Sequence, residues 1–252
     1  MNKMKTLIAL ALVCFFTITA NAQVKKPVVK KATTTKATVK KTTVSPNRTA
    51  TVRKKVIPIP GTRVKITTDS GVMVIRLYDK TPLHRDNFIK LANAHFFDSL
   101  LFHRVISDFM IQGGDPQSKY AQPGQMLGSG DVGYTIPAEF DTSLFHKKGA
   151  LAAARTDNPA KASSGCQFYI VQGKKWNDAD LNNMEMQRGL KFSAAQRNFY
   201  KTVGGVPFLD MGYTVFGEVE SGLDVIDKIA SVPKAPGDRP IGDVRMYIEV
   251  IK

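Results

Sequence analysis

The sequence predicts a mainly β domain, either a closed barrel or a sandwich, with two helices and a helical insertion. Three observations carry that reading. Short apolar runs recur from Arg63 to Ile251, and turns containing Gly or Pro separate many of them. Helix-start chemistry with helical spacing stands out in two places outside residues 174–203. The charge is segregated: 13 of the 36 Lys and Arg lie in residues 1–55, where there is no acid, and residues 56–252 hold 23 basic against 21 acidic residues. The net charge of +15 on 252 residues suggests nucleic-acid binding, but it belongs to a segment and not to the predicted fold. A hydrophobic content of 43% supports a packed core and excludes a wholly disordered, collagen-like or multi-pass membrane chain.

Residues 1–22 read as an export signal. Lys3 and Lys5 precede an apolar run from Leu7 to Phe16, and Ala20-Asn21-Ala22 fits the small-x-small cleavage pattern that would leave Gln23 first. An uncleaved anchor is the alternative, although the run falls short of the roughly 20 residues of a membrane span. Cys14 follows Val13, where lipid attachment calls for a small residue. Export implies the periplasm or cell envelope. Residues 23–56 are mostly Lys, Thr, Val, Ala and Pro without periodicity, and a disordered basic linker is expected. It reads as a solvated spacer or as a weak contact to an anionic surface. No aromatic residue is interleaved for base stacking, so no specific nucleic acid is expected. Asn47-Arg48-Thr49 is a formal glycosylation sequon. With Cys14 removed, Cys166 is alone, which excludes an intrachain disulfide; it reads as a small buried apolar residue.

The folded domain is assigned to residues 57–252. Residues 63–68 alternate, Asp69-Ser70-Gly71 turns the chain, and residues 72–78 continue as a strand. Thr81 is the predicted N-cap of a helix with Pro82 at its first position. That helix should run to about His95 and present Phe88, Leu91 and Ala92 on one face. Further strands are predicted at 101–106, 109–112, 150–154, 167–171, 214–219 and 245–251, with a second helix over 221–231. In the insertion, Leu181, Met184 and Arg188 keep helical spacing and Gly189 closes that helix. Ser193 with Gln196 forms a capping box for another helix containing Phe199 and Tyr200. The Met and aromatic residues of the insertion read as packing contacts.

Most chemistry-bearing motifs are absent. Gly128-Ser129-Gly130-Asp131-Val132-Gly133 spells a dinucleotide fingerprint, but neither flank supplies the strand and helix it needs, so it reads as a Gly-rich surface loop. His84, His95, His103 and His146 lack metal-ligand spacing. No Ser lies in a nucleophile elbow and no Lys in a P-loop. One run remains: Phe102-His103-Arg104-Val105-Ile106-Ser107-Asp108-Phe109-Met110-Ile111-Gln112-Gly113-Gly114-Asp115. Arg104 and Gln112 sit among strand-forming apolar residues, and Met110 shares a strand face with Gln112. Arg104 is either exposed on an edge strand or a fixed cation in the wall of an apolar groove.

This run resembles the signature of the cyclophilin family of peptidyl-prolyl isomerases. The likeness extends over residues 61–252 through Gly149-Ala150-Leu151-Ala152-Ala153-Ala154-Arg155, Gln167-Phe168-Tyr169-Ile170, Phe208-Leu209-Asp210 and Tyr213-Thr214-Val215-Phe216-Gly217. The resemblance implies a closed eight-stranded antiparallel β-barrel capped by two helices, with its substrate groove outside. It implies Arg104 as the catalytic residue and Phe109, Met110, Tyr169 and Leu209 as walls of a proline pocket. Gln112 and Gln167 would fix the peptide backbone, with Ala154 and Arg155 along the groove. Phe208 and Tyr213 complete the implied substrate contacts; they stand where many eukaryotic members carry Trp and His, and Arg155 stands where many carry Asn. The first two changes bear on cyclosporin binding more than on isomerisation.

The expected function is therefore acceleration of X-Pro isomerisation during folding of exported proteins, with proline-containing unfolded or partly folded polypeptides as partners. Neither cofactor nor metal is implied, and a monomer is expected. The alternative is a non-catalytic Pro-peptide or partner-binding module tethered by the basic arm.

Overall fold

The structure is a computed structural model that describes residues 61–251. The expected export signal, basic linker and sequon lie outside the described residues. In chain order the elements are β1 (Arg63–Thr68), β2 (Gly71–Leu77), α1 (Pro82–Asn93), β3 (Leu100–Ile106), β4 (Met110–Gly113), β5 (Thr135–Ile136), β6 (Ala150–Ala153), β7 (Ser163–Ser164), β8 (Phe168–Val171), α2 (Asp178–Arg188), α3 (Ala194–Thr202), β9 (Val215–Ser221), α4 (Leu223–Ala230) and β10 (Arg245–Ile251). Eight strands close an antiparallel barrel in the order β1-β10-β3-β4-β8-β6-β9-β2, while β5 and β7 form a separate pair.

Closure explains two strand patterns. β1 alternates, burying Val64, Ile66 and Thr68 while its other residues stay half-exposed, as a strand with one solvated face must. β6 and β8 are buried at every position because both of their faces are covered. Leu151, Ala153, Phe168 and Ile170 point into the barrel core. Ala150, Ala152, Tyr169 and Val171 point outward into a second apolar cluster with Met110, Val206 and Val215. That outer cluster underlies the groove. β3 lies between β10 and β4, so Arg104 is not on an edge strand.

Both predicted helices cap the barrel. α1 buries Phe88, Leu91 and Ala92, and α4 buries Val225, Ile226, Ile229 and Ala230 in the same core. Phe88, Phe97 and Phe168 meet in the core, tilted or edge to face, at centroid distances of 4.9–5.7 Å. One expectation is corrected here: Thr81 occupies the N-cap position, but its side chain makes no capping bond. Glu139 takes that role from 55 and 56 residues away, its carboxylate accepting from the backbone N–H of His84 and of Leu83, each at 3.0 Å. The negative charge also suits the positive helix N-terminus.

The insertion is helical as predicted. Asn177 caps α2, Gly189 ends it at φ 62°, and Ser193 with Gln196 forms the reciprocal capping box of α3. Leu181, Phe192 and Tyr200 make a small core of their own, against which Phe145, Trp176 and Met184 pack.

Candidate functional site

The outer face of β3, β4, β6 and β8 forms the floor of a groove, and the chain around residues 206–213 supplies one bank. A pocket of about 170 Å³ opens there, bounded by Arg104, Phe109, Met110, Gln112, Ala154, Arg155, Tyr169, Leu209 and Tyr213. The structure thus gathers nine of the eleven candidate residues around one opening. Strand register does much of this, since Arg104 faces Gln112 across β3 and β4, and Gln112 faces Tyr169 across β4 and β8. Gln167 and Phe208 stand outside the pocket. Gln167 lies behind Gln112 and lines an adjoining hollow of about 260 Å³. Phe208 stands at the rim, its ring 5.7 Å from Phe109. Gln112 and Arg104 also border a further hollow of about 400 Å³, toward Gly128 and Gly237. An extended polypeptide thus has room beyond the apolar pocket.

Arg104 is aimed by a relay of amides. Its Nη1 donates to Gln112 Oε1 at 3.4 Å, and Gln112 Nε2 donates to Gln167 Oε1 at 3.0 Å. Gln167 Nε2 in turn donates to the carbonyls of Gly128 at 2.9 Å and Gly130 at 2.8 Å. Two of the fingerprint-like glycines therefore orient Gln167, and Asp115 holds the same loop by accepting from the N–H of Gly128. Asp238 Oδ2 lies 3.7 Å from Arg104 Nε, and the guanidinium keeps 43% of its side-chain exposure. It is thus held at one side and open to a ligand at the other.

The opposite bank is aromatic. Tyr169 and Tyr213 meet edge to face at 5.9 Å, and the Arg155 guanidinium lies 4.6 Å over the Tyr213 ring. Arg155 Nε donates to the carbonyl of Gly212 at 3.0 Å, so this charge is engaged with the wall and does not duplicate Arg104. Burial raises the Tyr169 phenol well above its ordinary range, which keeps it neutral. Cys166 is buried, and burial pushes its thiol up to about 11. A thiol so rarely ionised is a poor nucleophile.

Sequence reasoning missed the groups behind this wall. Tyr169 Oη lies 2.9 Å from His146 Nε2, and His146 Nδ1 lies 2.8 Å from Asp210 Oδ1. Asp210 was visible only as the residue after Leu209, and His146 only as a His without metal spacing. A buried His and a buried Asp near an apolar wall are the signal, but 64 residues separate them.

A family model for cyclophilin type peptidyl-prolyl cis-trans isomerases matches residues 63–250. A Streptococcus pyogenes protein, named provisionally as a bifunctional phosphatase/peptidyl-prolyl cis-trans isomerase, is 37% identical over 198 residues, spanning 76% of this chain but only 38% of its own length. A Staphylococcus haemolyticus protein, named provisionally as a peptidyl-prolyl cis-trans isomerase, is 34% identical over 183 residues, spanning 72% of this chain and 87% of its own. In fold, the chain is similar to a Cryptosporidium parvum cyclophilin type peptidyl-prolyl cis-trans isomerase, with a TM-score of 0.58 and 21% identity over 76% of this chain and 98% of that one. A second structure of that protein, in the presence of the dipeptide Ala-Pro, gives a TM-score of 0.54 at 21% identity.

Proposed function

Because this chain belongs to the cyclophilin-type peptidyl-prolyl cis-trans isomerase family, we propose that the groove beside Arg104 isomerises X-Pro bonds, with Arg104 as its catalytic residue. Isomerase activity follows from the family; the residue roles and the clients are the proposal. The single observation that carries it is a half-exposed guanidinium, steadied by Gln112, at the edge of an apolar pocket sized for a small ring.

Isomerisation breaks no σ bond, so it needs no nucleophile or general base. Its barrier, about 18–20 kcal/mol, is the loss of amide resonance. Twisting about the C–N bond returns a localised lone pair to the prolyl nitrogen. A guanidinium that donates to that nitrogen binds the twisted state more strongly than the planar one, which lowers the barrier. Phe109, Met110, Tyr169 and Leu209 would hold the proline ring while the preceding carbonyl swings. Gln112 would fix both Arg104 and the peptide backbone, and exclusion of water by the aromatic bank strengthens the cation's effect. Uncatalysed exchange takes about 10–100 s, so each 1.4 kcal/mol supplied gives a tenfold gain.

The substrates of this reading are proline-containing segments of unfolded polypeptides. The Ala-Pro dipeptide present with the C. parvum relative supports that class of ligand. Export followed by tethering is part of the same proposal. It is supported by the apolar run after Lys3 and Lys5, the Ala20-Asn21-Ala22 site, and a basic segment that carries the charge the folded part lacks. The deciding experiment on the site is exchange NMR on an Ala-Pro peptide with wild-type protein and Arg104→Ala. Loss of one transition-state donor should lower kcat by about 10²–10³-fold, with an unchanged circular dichroism spectrum. Equal rates would remove Arg104 from the mechanism.

A further inference from the structure

Tyr200 of α3 is buried, and its phenol donates to Asp210 Oδ2 at 2.6 Å. The other carboxylate oxygen of Asp210 accepts from His146 twice, from the backbone N–H at 2.9 Å and from the ring at 2.8 Å. A carboxylate cannot donate, so Nδ1 of His146 carries a proton, and in the neutral imidazole Nε2 is left as an acceptor. In that form Tyr169 donates its phenolic proton to Nε2, across 2.9 Å. One directed chain thus runs from the insertion helix to the floor of the proline pocket, and all four residues are buried. The two rings nearest the groove, His146 and Tyr169, are also stacked at 6.0 Å and 13°.

A second connection reaches the bank supplied by residues 206–213. Arg188, the last residue of α2, donates from Nη1 to the carbonyl of Phe208 and from Nη2 to that of Asp210 at 3.4 Å. Between those carbonyls lies Leu209, a wall of the pocket. Trp176 joins in, donating Nε1–H to the carbonyl of Gly205 at 2.8 Å and meeting Phe208 at 6.2 Å. Gly205 itself admits no side chain, since a Cβ would stand 2.3 Å from the carbonyl of His146. Nothing in the isomerase reaction as derived above calls for helices at 178–202, yet their polar side chains converge on two walls of one pocket.

We propose that the 174–203 insertion is a built-in brace of the proline pocket, with Tyr200 and Arg188 as positioning residues acting through Tyr169 and Leu209. Tyr200 sets the ring angle of Tyr169 through Asp210 and His146. Arg188 sets the depth of Leu209 by holding the backbone on either side. This rests on the groove being the isomerase site. The pocket contacts planar and twisted substrate alike, so loosening it raises KM more than it lowers kcat.

The test is a double-mutant cycle on Ala-Pro peptide exchange, measured with the full chain. Tyr200→Phe keeps the ring that packs against Phe145 and Phe192 and deletes only the donor. The expected result is a three- to tenfold higher KM, the size of one buried hydrogen bond, and no further effect of Tyr200→Phe in a Tyr169→Phe background. A merely structural role would give the same loss in both backgrounds, and that additivity overturns the proposal, as does a wild-type KM. Arg188 is exposed, so Arg188→Ala keeps the fold and decides the matter should Tyr200→Phe not fold: a raised KM upholds the brace and an unchanged KM refutes it. Wild-type protein in the same assay separates the two levels. An inactive wild type overturns the site assignment, whereas an active wild type matched by both variants overturns the brace alone.

Discussion

Gln112→Glu changes one atom pair beside Arg104 and should convert a guide into a trap. In the wild type a neutral amide oxygen sits 3.4 Å from Arg104 Nη1 and holds it without competing for its charge. A carboxylate at that distance would attract the guanidinium by about 5 kcal/mol at an effective dielectric near 20. Arg104 keeps 43% of its side-chain exposure, so solvent screening brings the effective hold down to about 1 kcal/mol. Part of that hold must be given up when the guanidinium turns to the prolyl nitrogen, and a cost of 1.4 kcal/mol is tenfold in rate. The expected result is a kcat/KM reduced by about two- to fivefold in low salt, measured by exchange NMR on an Ala-Pro peptide. The deficit should shrink toward 1 M salt, where the screening length falls to about 3 Å. The substitution also removes the donor to Gln167 Oε1, a loss of about 1 kcal/mol in stability that a denaturation curve separates from the catalytic effect. Wild-type kcat/KM in low salt would refute the idea that Arg104 must leave Gln112 to act.

Two further outcomes are expected. His103 is buried beside Arg104, neither ring nitrogen is hydrogen-bonded to a described residue, and burial pushes its pKa down to about 4, with Asp115 offsetting only part of the shift. The unfolded chain takes up this proton near pH 6.5, so the contribution is intact above that pH and drains away as pH falls toward 4. His103→Leu should flatten the dependence of the urea midpoint between pH 7 and pH 4.5, and an unchanged slope would discount His103. The export and tether proposal is tested by N-terminal sequencing of the secreted chain, expected to begin at Gln23, and by salt-dependent binding to anionic vesicles of residues 23–252 against 57–252. Binding that is equal for the two, or insensitive to salt, would leave the basic segment as a spacer.

The groove floor was legible because its signals are local. Arg104 and Gln112 were conspicuous among strand formers, Met110 and Gln112 shared a face by period two, and the short apolar runs at 150–154 and 167–171 marked strands, although only the structure shows both of their faces covered. Barrel closure itself was left open against a sandwich until the family signature pointed to it, because pairing of β1 with β10 joins segments far apart in sequence that no local pattern connects. The same reason hid the supports of the site. Thr81 carried the local signature of a cap, yet a carboxylate brought in from Glu139 won the position. The glycine loop read from the sequence only as a surface loop, and its carbonyls gained a use when Gln167 came to lie against them. His146 and Asp210 became partners in the same way, through tertiary packing and not through spacing.

Barrel closure has a consequence for the proposed action on unfolded chains. Such clients expose strand-forming segments whose unpaired N–H and C=O groups seek a template, and an open sheet would offer one along its last strand. Here β1 and β10, the first and last strands among the described residues, pair with each other across five registered positions, from Arg63 with Ile251 to Thr67 with Tyr247. Among the described residues the barrel itself therefore leaves no unpaired edge strand for a visiting polypeptide to extend. Such a chain can rest a proline in the groove and leave again, instead of being enrolled as a ninth strand.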